Sequence, residues 1–458
     1  GTNVSDIVRT SDQFLDNQVG DQKADLSASL EMENYMRVLE GLFNENSNSS
    51  ISGMVSDFWN LWHDVANTPS GDAQRIALYE HSVLMAEQFN TVDADLTQLQ
   101  TDLTNSVSAA IGEINQITNE IGDLNNQIVG MEVSDVANDL RDKRNYLVWQ
   151  LSEYLDVKRF EQDDGALTII SALGCVLVNG RDNYELNLNG SAVEWISSSG
   201  SAVDITDHLS TGKLGGWLDT RDEIIAKYKL DLDSLAEEFV WSVNQQHSQG
   251  AGLVGFSSVT GTYGATTPGN AITASGLDYQ DKVDDSNETF EIWLFDTNGA
   301  PYDSDVVTSG LQGNPLTITV TSGLTVNALV AAIDAETGVQ ASIDAQTNKV
   351  TIGIDTGEVA TLGSLAFAND TSNVLAALGI NTFFDGASAG GIDVNSQFQS
   401  NKDYIAASQV DTTATSSSYG TVSTGDNTNA RAIADLQYTS QTLSQWTVDR
   451  VNGNTQGS

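Results

Sequence analysis

The residues best suited to chemistry in this sequence lie around the glycine-rich stretch "GKLGG", which begins at Gly212. Glycine loops beside a lysine hold phosphates in nucleotide-binding proteins, where G-x-x-x-x-G-K is followed by serine or threonine. Here Lys213 is followed by Leu214, so the phosphate-binding pattern is broken. The stretch instead predicts a turn into a helix, in which Gly212, Gly215 and Gly216 allow tight backbone.

The four histidines are also candidates for chemistry, as metal ligands or as catalytic bases. His63, His81, His208 and His247 are dispersed along the chain, and no H-E-x-x-H pair is present. His247 lies near a predicted helix end, where a cation interacts favourably with the helix dipole, so we interpret it as a cap. The sequence therefore predicts no metal centre and no catalytic histidine.

The remaining candidate groups are one thiol and one acidic turn. Cys175 is the only cysteine, which excludes a disulfide framework, and no basic neighbour in "LGCVLV" would activate it. The turn "DTNGAPYDSD" at 296–305 could hold calcium but does not fit an EF-hand loop, so calcium stays an open alternative. A G-x-S-x-G nucleophile elbow is absent. We predict no enzyme activity, no catalytic residues and no cofactor.

The charge balance narrows the class of partner. The chain has 63 acidic and 19 basic residues, a net charge of −44. Nucleic-acid binding depends on Lys and Arg that displace counterions, and anionic membrane surfaces attract the same residues. No apolar run approaches the roughly 20 residues that span a bilayer. We therefore predict neither nucleic-acid binding nor membrane insertion.

One long helix must organise the molecule. Its apolar residues alternate at spacings of three and four, as in a coiled-coil seam, and two slips in the spacing cancel over four heptads. A helix over 72–129 would be roughly 85 Å long. Gly112 and Gly122 suggest the close approach of a neighbouring helix. The predicted seam consists of Leu96, Leu99, Leu103, Val107, Ile111, Ile114, Ile117, Ile121 and Leu124.

The pattern along the whole chain predicts an α+β multidomain protein. A long helical rod or bundle domain, built from N- and C-terminal parts of the chain, carries two inserted mainly-β domains. Other helices are predicted over 4–43 and 135–155, and from about Asn427 through Leu443. The predicted segments are 1–157 (rod), 158–211 (small β domain), 212–256 (rod), 257–398 (variable outer β-rich domain) and 399–458 (rod).

The segment that opens with "GKLGG" resembles a signature of the bacterial flagellar hook-associated protein 1 family, the first hook–filament junction proteins. Similar segments occur in the family's order along about half of the chain. They are "VSDIVRTSDQFLDNQ" with "LEGLFNE", "NDLRDKRNYLVWQLSEYLDVKRFEQDDGALTI", "LAALGINTFFDGASAGGIDVN" and "GDNTNARAIADLQ". The signature includes Gly212, Leu214, Gly215, Gly216, Asp219, Arg221, Asp222, Tyr228, Asn244 and His247.

This resemblance implies a structural subunit of the bacterial flagellum. Such a subunit would join hook to filament, be needed for filament assembly, and lie outside the cell after flagellar type III export. The implied partners are the flagellar hook protein, the second hook–filament junction protein, a ring of further copies, and an export chaperone bound to a C-terminal segment. Family members carry terminal coiled-coil segments that we do not find here, so we interpret the sequence as a core fragment.

Two other functions remain as alternatives. A flagellin-like filament subunit belongs to the same class, although the "GKLGG" and "GDNTNARAIADLQ" segments argue against it. A surface-binding or adhesive module could use the outer β domains, with Trp195 and Trp293 as exposed contacts. Tryptophan in a strand is more often part of a core. The exposure of Trp195 and Trp293 therefore shows whether they are surface contacts or core residues.

Overall fold

The computed structural model describes residues 13–43, 50–132, 137–303 and 313–457. Residues 4–12 of the predicted first helix and residues 304–305 of the acidic turn lie outside the described residues. Helix α3 confirms the long helix, and it extends over 60 residues. The described helices are α1 (Gln13–Leu42), α2 (Ile51–Asn67), α3 (Asp72–Met131), α4 (Asn138–Tyr154), α5 (Gly212–Asp219), α6 (Ala226–Ser248), α7 (Val326–Asp334), α8 (Val374–Leu378), α9 (Gln397–Ser400) and α10 (Thr428–Asp435).

The described strands form small sheets in which every paired strand runs antiparallel to its neighbours. The sheet orders are β1-β2-β3-β4, β5-β6-β7, β10-β9-β13, β11-β12-β8, β14-β15 and β16-β17. The strands are β1 (Lys158–Glu161), β2 (Leu167–Ile170), β3 (Val176–Asn179), β4 (Asp182–Asn183), β5 (Leu186–Asn189), β6 (Ala192–Ile196), β7 (Ala202–Asp204), β8 (Ser258–Gly264), β9 (Ser286–Asp296), β10 (Leu316–Thr321), β11 (Val339–Ile343), β12 (Lys349–Ile354), β13 (Leu362–Ala368), β14 (Phe384–Asp385), β15 (Asp393–Val394), β16 (Gln445–Thr447) and β17 (Thr455–Gly457).

The chain divides into two compact units, which confirms a multidomain α+β protein. The first unit takes residues 1–44, 94–231 and 444–458, and the second takes 45–93 and 232–443. Helices α3 and α6 contribute residues to both units. None of the described helices is long and apolar enough to cross a membrane.

Most residues of the predicted seam are buried in the core of the first unit. Val107, Ile111 and Ile114 of α3 are buried in one apolar cluster with residues of α4 and α5 and of two small sheets, β1-β2-β3-β4 and β5-β6-β7. Beyond Ile114 the buried face turns, so that Ile117 and Leu124 are only half-buried. The fully buried seam positions are Leu96, Leu103, Val107, Ile114 and Ile121, and Leu99 and Ile111 are nearly so.

Polar residues take the buried positions that the sequence pattern assigned to Ile117 and Leu124. Thr118 and Asn125 of α3 are 1% and 0% exposed. The Asn125 amide donates to the carbonyl oxygens of Leu167 (2.9 Å) and Gly180 (2.7 Å), and its oxygen accepts from the Leu167 N–H (3.0 Å). A buried amide with every polar atom paired is stable in a core, and here it ties α3 to the four-stranded sheet.

A cluster of aromatic rings lies in the second unit. The Phe58 ring of α2 lies 5.3 Å from the Phe239 ring of α6 and 5.6 Å from the Phe384 ring. The Trp62 ring packs edge-on against Phe383 at 5.4 Å. Aromatic pairs at these spacings stabilise a core beyond the area they bury. The cluster joins α2, α6 and the segment that leads into β14.

Two local predictions are wrong. Helix α10 begins at Thr428 as expected but ends at Asp435, and Leu443 lies beyond it with 36% of its surface exposed. The chain there forms the β16–β17 hairpin instead of a longer rod helix. The α3 glycines do not mark a helix contact. A Cβ atom on Gly112 would meet nothing within 4 Å, and one on Gly122 would lie 3.2 Å from the Arg181 carbonyl of the β3–β4 turn.

Candidate functional site

The "GKLGG" stretch forms the start of α5 and lies where backbones meet. Gly212 has φ +68°, and a Cβ atom there would lie 2.3 Å from the Tyr154 carbonyl group at the end of α4. A Cβ atom on Gly216 would lie 2.6 Å from the Ala28 oxygen of α1. Glycine alone fits such a contact at positive φ. The sequence predicted a turn into a helix with tight backbone, and the structure adds that this stretch is a helix-packing joint against α4 and α1.

Its other residues complete that joint. A Cβ atom on Gly215 would lie 2.5 Å from the Ser210 backbone, and the Leu214 side chain is fully buried in the first unit's core. Lys213 pairs with Glu153 of α4 at 3.7 Å, and its Nζ lies 4.8 Å from the Tyr154 ring centroid. The lysine therefore binds α4, which leaves the stretch without the charge geometry of a phosphate loop.

Asp219 anchors the C-terminal hairpin to α5. The guanidinium of Arg450, between β16 and β17, donates to the Asp219 carboxylate and to the carbonyl oxygens of Thr206 (2.8 Å) and Leu209 (3.1 Å). Burial raises the pKa of Asp219, and the charge of Arg450 opposes that rise. Only 6% of the Arg450 side chain is exposed, so the pair lies largely out of water.

Arg450→Ala is expected to destabilise the first unit by about 2 kcal/mol, because it leaves Asp219 part-buried without its cation. The matched control is Arg37→Ala in α1, whose partner Glu33 is 62% exposed, and we expect at most about 0.5 kcal/mol there. Urea unfolding followed by circular dichroism gives both values. Equal effects of the two substitutions would show that the Asp219 pair contributes no more than a surface ion pair.

Arg221 and Asp222 lie in a π-helical turn, Thr220–Ile225, that connects α5 to α6. The Arg221 guanidinium donates to Asp222 (2.7 Å) and to the Ser191 carbonyl oxygen (2.7 Å) in the β5–β6 turn. Its own carbonyl accepts from Gln100 of α3 at 3.0 Å. The π turn thus directs Arg221 inward to connect three elements of the first unit.

Tyr228, a signature residue near the start of α6, lies at the surface of the first unit. Its ring lies 5.2 Å from the Phe43 ring, and 37% of its surface is exposed. It therefore packs on the residue that follows α1 and belongs to the surface of the unit.

Asn244 and His247 lie one turn apart on α6, in the second unit. Their side chains form hydrogen bonds with the backbone of residues 381–384. The Asn244 oxygen accepts from the N–H groups of Phe383 and Phe384 at 2.9 Å each, and its amide donates to the Phe384 carbonyl oxygen at 2.8 Å. His247 Nδ1 donates to the Asn381 carbonyl oxygen at 2.7 Å. The two side chains thus pair backbone groups of residues 381–384, which keeps these buried polar groups satisfied.

The prediction of His247 as a cationic helix cap is wrong. The side chain is 0% exposed, and its Nε2 accepts from the Ala406 N–H at 2.9 Å. Because one nitrogen donates and the other accepts, the ring is neutral. Burial lowers the pKa of His247 to about 4. A charged imidazole would break the bond to Ala406 inside the core.

His247 makes the second unit sensitive to acid. Its pKa of about 4 when folded lies below the ordinary value of 6.5, so the unfolded chain binds the proton first as the pH falls. Its contribution is complete above pH 6.5 and is lost as the pH falls to about 4, a change of about 3 kcal/mol. Burial raises the pKa of Asp370 to about 6 in the same unit, which acts in the opposite direction.

The difference between wild type and His247→Gln isolates this contribution, because Asp370 is common to both. We expect the stability advantage of wild type to shrink by about 3 kcal/mol between pH 6.5 and pH 4. Urea unfolding followed by tryptophan fluorescence measures it. An advantage that stays constant over this range would mean that His247 keeps an ordinary pKa in the folded protein.

Two of the segments that resemble the flagellar family contact the end of α6 around this histidine. Asn429, from "GDNTNARAIADLQ", donates to the Ala406 carbonyl oxygen (2.7 Å) and accepts from Gln246 (2.7 Å). Asn381, from "LAALGINTFF", donates to the carbonyl oxygens of Ser248 (3.0 Å) and Gly250 (2.9 Å). Buried amides therefore join three segments that are far apart in sequence.

Sequence reasoning missed these amides and Arg144. Arg144 is 1% exposed and donates to Asn125 (2.8 Å) and to the Gly165 carbonyl oxygen (2.8 Å). For Asn125 the sequence does hold a signal. Thr118, Ile121, Asn125 and Ile128 follow one another at spacings of three and four, so they continue the seam of α3 through polar residues. A search for apolar periodicity alone passes over such positions.

The thiol, the acidic turn and the two tryptophans named from the sequence are all engaged in contacts within the chain. The Cys175 thiol is buried, which raises its pKa. Asp296 accepts from the N–H groups of Asn298 (2.8 Å) and Ala300 (2.9 Å), so its carboxylate closes its own turn and has a lowered pKa. Trp293 is fully buried, and the Trp195 indole donates to the Val176 carbonyl oxygen at 2.8 Å. Among the described residues, no three His, Cys, Asp or Glu side chains are grouped for a metal.

Comparison with known proteins finds a family that is similar to this chain. Residues 36–262 match the family described as "Flagellar hook-associated protein FlgK helical domain", a range that contains the joint at Gly212 and the α6 residues Asn244 and His247. Flagellar hook-associated protein 1 of Bacillus subtilis (strain 168) is 26% identical over 331 residues, covering 66% of this chain and 63% of that protein. Over these ranges the chain is similar to the flagellar hook-associated protein 1 family. The Salmonella typhimurium member is 27% identical over 261 residues, which is 55% of this chain and 47% of that protein.

A solved structure shares the fold. The flagellar hook junction protein FlgK from Burkholderia pseudomallei covers 86% of this chain and 66% of its own, with a TM-score of 0.51 and 17% identity. The chain thus spans about half to two thirds of the length of the relatives that it matches.

Proposed function

We propose that the protein is a structural subunit of the bacterial flagellum that joins hook to filament and is needed for filament assembly. The observation that carries the proposal is the similarity over 331 residues to a flagellar hook-associated protein 1. The site supports a structural role, because the signature residues with polar side chains direct them to contacts within the chain. Asp219 binds Arg450, Arg221 binds Ser191, and Asn244 binds the 383–384 backbone.

The proposal includes partners and a location. The subunit would contact the hook protein, the second hook–filament junction protein and further copies of itself in a ring. It would lie outside the cell after export through the flagellar type III apparatus, with an export chaperone bound to a C-terminal segment. The five-part organisation, with rod segments at 1–157, 212–256 and 399–458 around the two β domains, is part of the same proposal.

Deletion of the gene in the bacterium that encodes this chain tests the role in the cell. We expect hooks without filaments, with flagellin released into the medium, because a filament has no base on which to grow. Re-expression of the wild-type gene should restore filaments. As a control for folding defects, Arg37→Ala, which changes only an exposed ion pair, should restore them equally. Filaments of normal number and length in the deletion strain would overturn the proposal.

A further inference from the structure

Among its described residues, the first unit has an open cleft between α3 and α4. The cleft measures about 660 Å³. Leu124 from α3 and Tyr146 and Leu147 from α4 provide its apolar lining. Leu124 and Leu147 are half-buried, whereas 59% of the Tyr146 surface is exposed. A concave surface with apolar side chains still in contact with water is typical of an interaction site.

Aromatic exposure continues along the same face of α4. Trp149 lies three residues after Tyr146, so the two side chains are neighbours on the helix surface, and 39% of Trp149 is exposed. The α4 residues that build the core, Val148 and Leu151, point elsewhere and are buried. The exposed aromatic residues therefore contribute little to the stability of the unit. Aromatic side chains of this kind dominate the binding energy of protein interfaces.

The rim of the cleft is acidic. Glu120 and Asp123 lie on the α3 side and Asp142 on the α4 side, against the single basic residue Lys143 among the residues that line the cleft. An acidic rim around an apolar floor favours a basic partner, since the charges attract it and orient it while the floor supplies the affinity.

We propose that the α3–α4 cleft docks an amphipathic helix of a partner protein, with apolar residues at helical spacing and Lys or Arg beside them. The groove between two neighbouring helices accepts a third helix through side chains at i, i+3, i+4 and i+7. The apolar residues would contact Leu124, Tyr146 and Leu147, and the basic residues would face Glu120 and Asp123. This interaction surface does not depend on the proposed junction role.

Two synthetic helical peptides of equal length test the docking. Both carry leucine at i, i+3, i+4 and i+7, and they differ only in lysine or glutamate at the flanking positions. Fluorescence anisotropy of the labelled peptides, titrated with the protein, should give an affinity for the basic peptide about tenfold higher, and added salt should reduce that difference. Equal affinity of both peptides would contradict the charge argument, and no binding of either would overturn the proposal.

Variants locate the binding on the cleft. Tyr146→Ser should weaken binding of the basic peptide by about tenfold, the value of the apolar contact that is lost. The control is Tyr438→Ser, which removes a tyrosine that is 78% exposed elsewhere and should leave the affinity unchanged. Glu120→Lys with Asp123→Lys should remove the preference for the basic peptide. If Tyr146→Ser instead abolished a dimer of the protein in sedimentation, the occupant would be a second copy and the proposal would be wrong.

Discussion

Ile114→Asp is expected to unfold the first unit. Ile114 is fully buried in the cluster that joins α3, α4, α5 and the two small sheets. The substitution removes an apolar side chain from this core and places a carboxylate there without a partner. Together these changes should lower the free energy of unfolding by about 5 kcal/mol or more, which is comparable with the whole stability of a typical domain.

Hydrogen exchange with mass spectrometry shows where the protein unfolds. Ile114→Asp should remove protection from peptides within 94–231, which belong to the first unit. The matched control is Ile76→Asp, on the same helix at a position that is 47% exposed, where we expect a change within about 0.5 kcal/mol. Normal protection of 94–231 in Ile114→Asp would contradict the assignment of this residue to the core.

Gly212→Ala is the smallest substitution with a large expected effect. Alanine at φ +68° is strained, and its Cβ would lie 2.3 Å from the Tyr154 carbonyl group, so the backbone at the end of α4 would have to move. Strain and overpacking each destabilise by about 1–3 kcal/mol, so we expect a loss of about 3 kcal/mol in the first unit. Urea unfolding measured by circular dichroism gives the value.

Gly112→Ala is the matched control, and we expect it to change the stability in the opposite direction. Gly112→Ala adds the same methyl group within α3, where nothing lies within 4 Å of the new atom. Alanine favours a helix over glycine by about 1 kcal/mol, so this variant should be slightly more stable than wild type. Unchanged stability of Gly212→Ala would mean that the contact with α4 does not require glycine at 212.

The regular elements could be predicted from the sequence because their apolar residues recur at helical spacing. The buried positions from Leu96 to Ile114 follow from that spacing alone. After Ile114, where the small sheets lie against α3, the prediction was wrong at Ile117 and Leu124, which are only half-buried, but right at Ile121. Asn125 is stable there because strand backbone satisfies its amide, and the sequence pattern holds no information about that backbone.

The signature residues could be found from the sequence, but their partners could not. Arg450 lies 231 positions from Asp219, and the segment at 381–384 lies far from Asn244. Contacts at such separation depend on how the chain folds back. For His247 the local sequence favoured a charged cap, whereas burial by distant segments makes a neutral ring necessary.

The junction role itself is tested most directly on isolated hooks. The protein, with the ends that its gene encodes, is added to hooks purified from the same bacterium, followed by the second junction protein and then flagellin, and filaments are counted by electron microscopy. The account predicts filament growth only when this protein is included. Filaments that grow equally without it, or bare hooks despite folded and soluble protein, would contradict the proposed role.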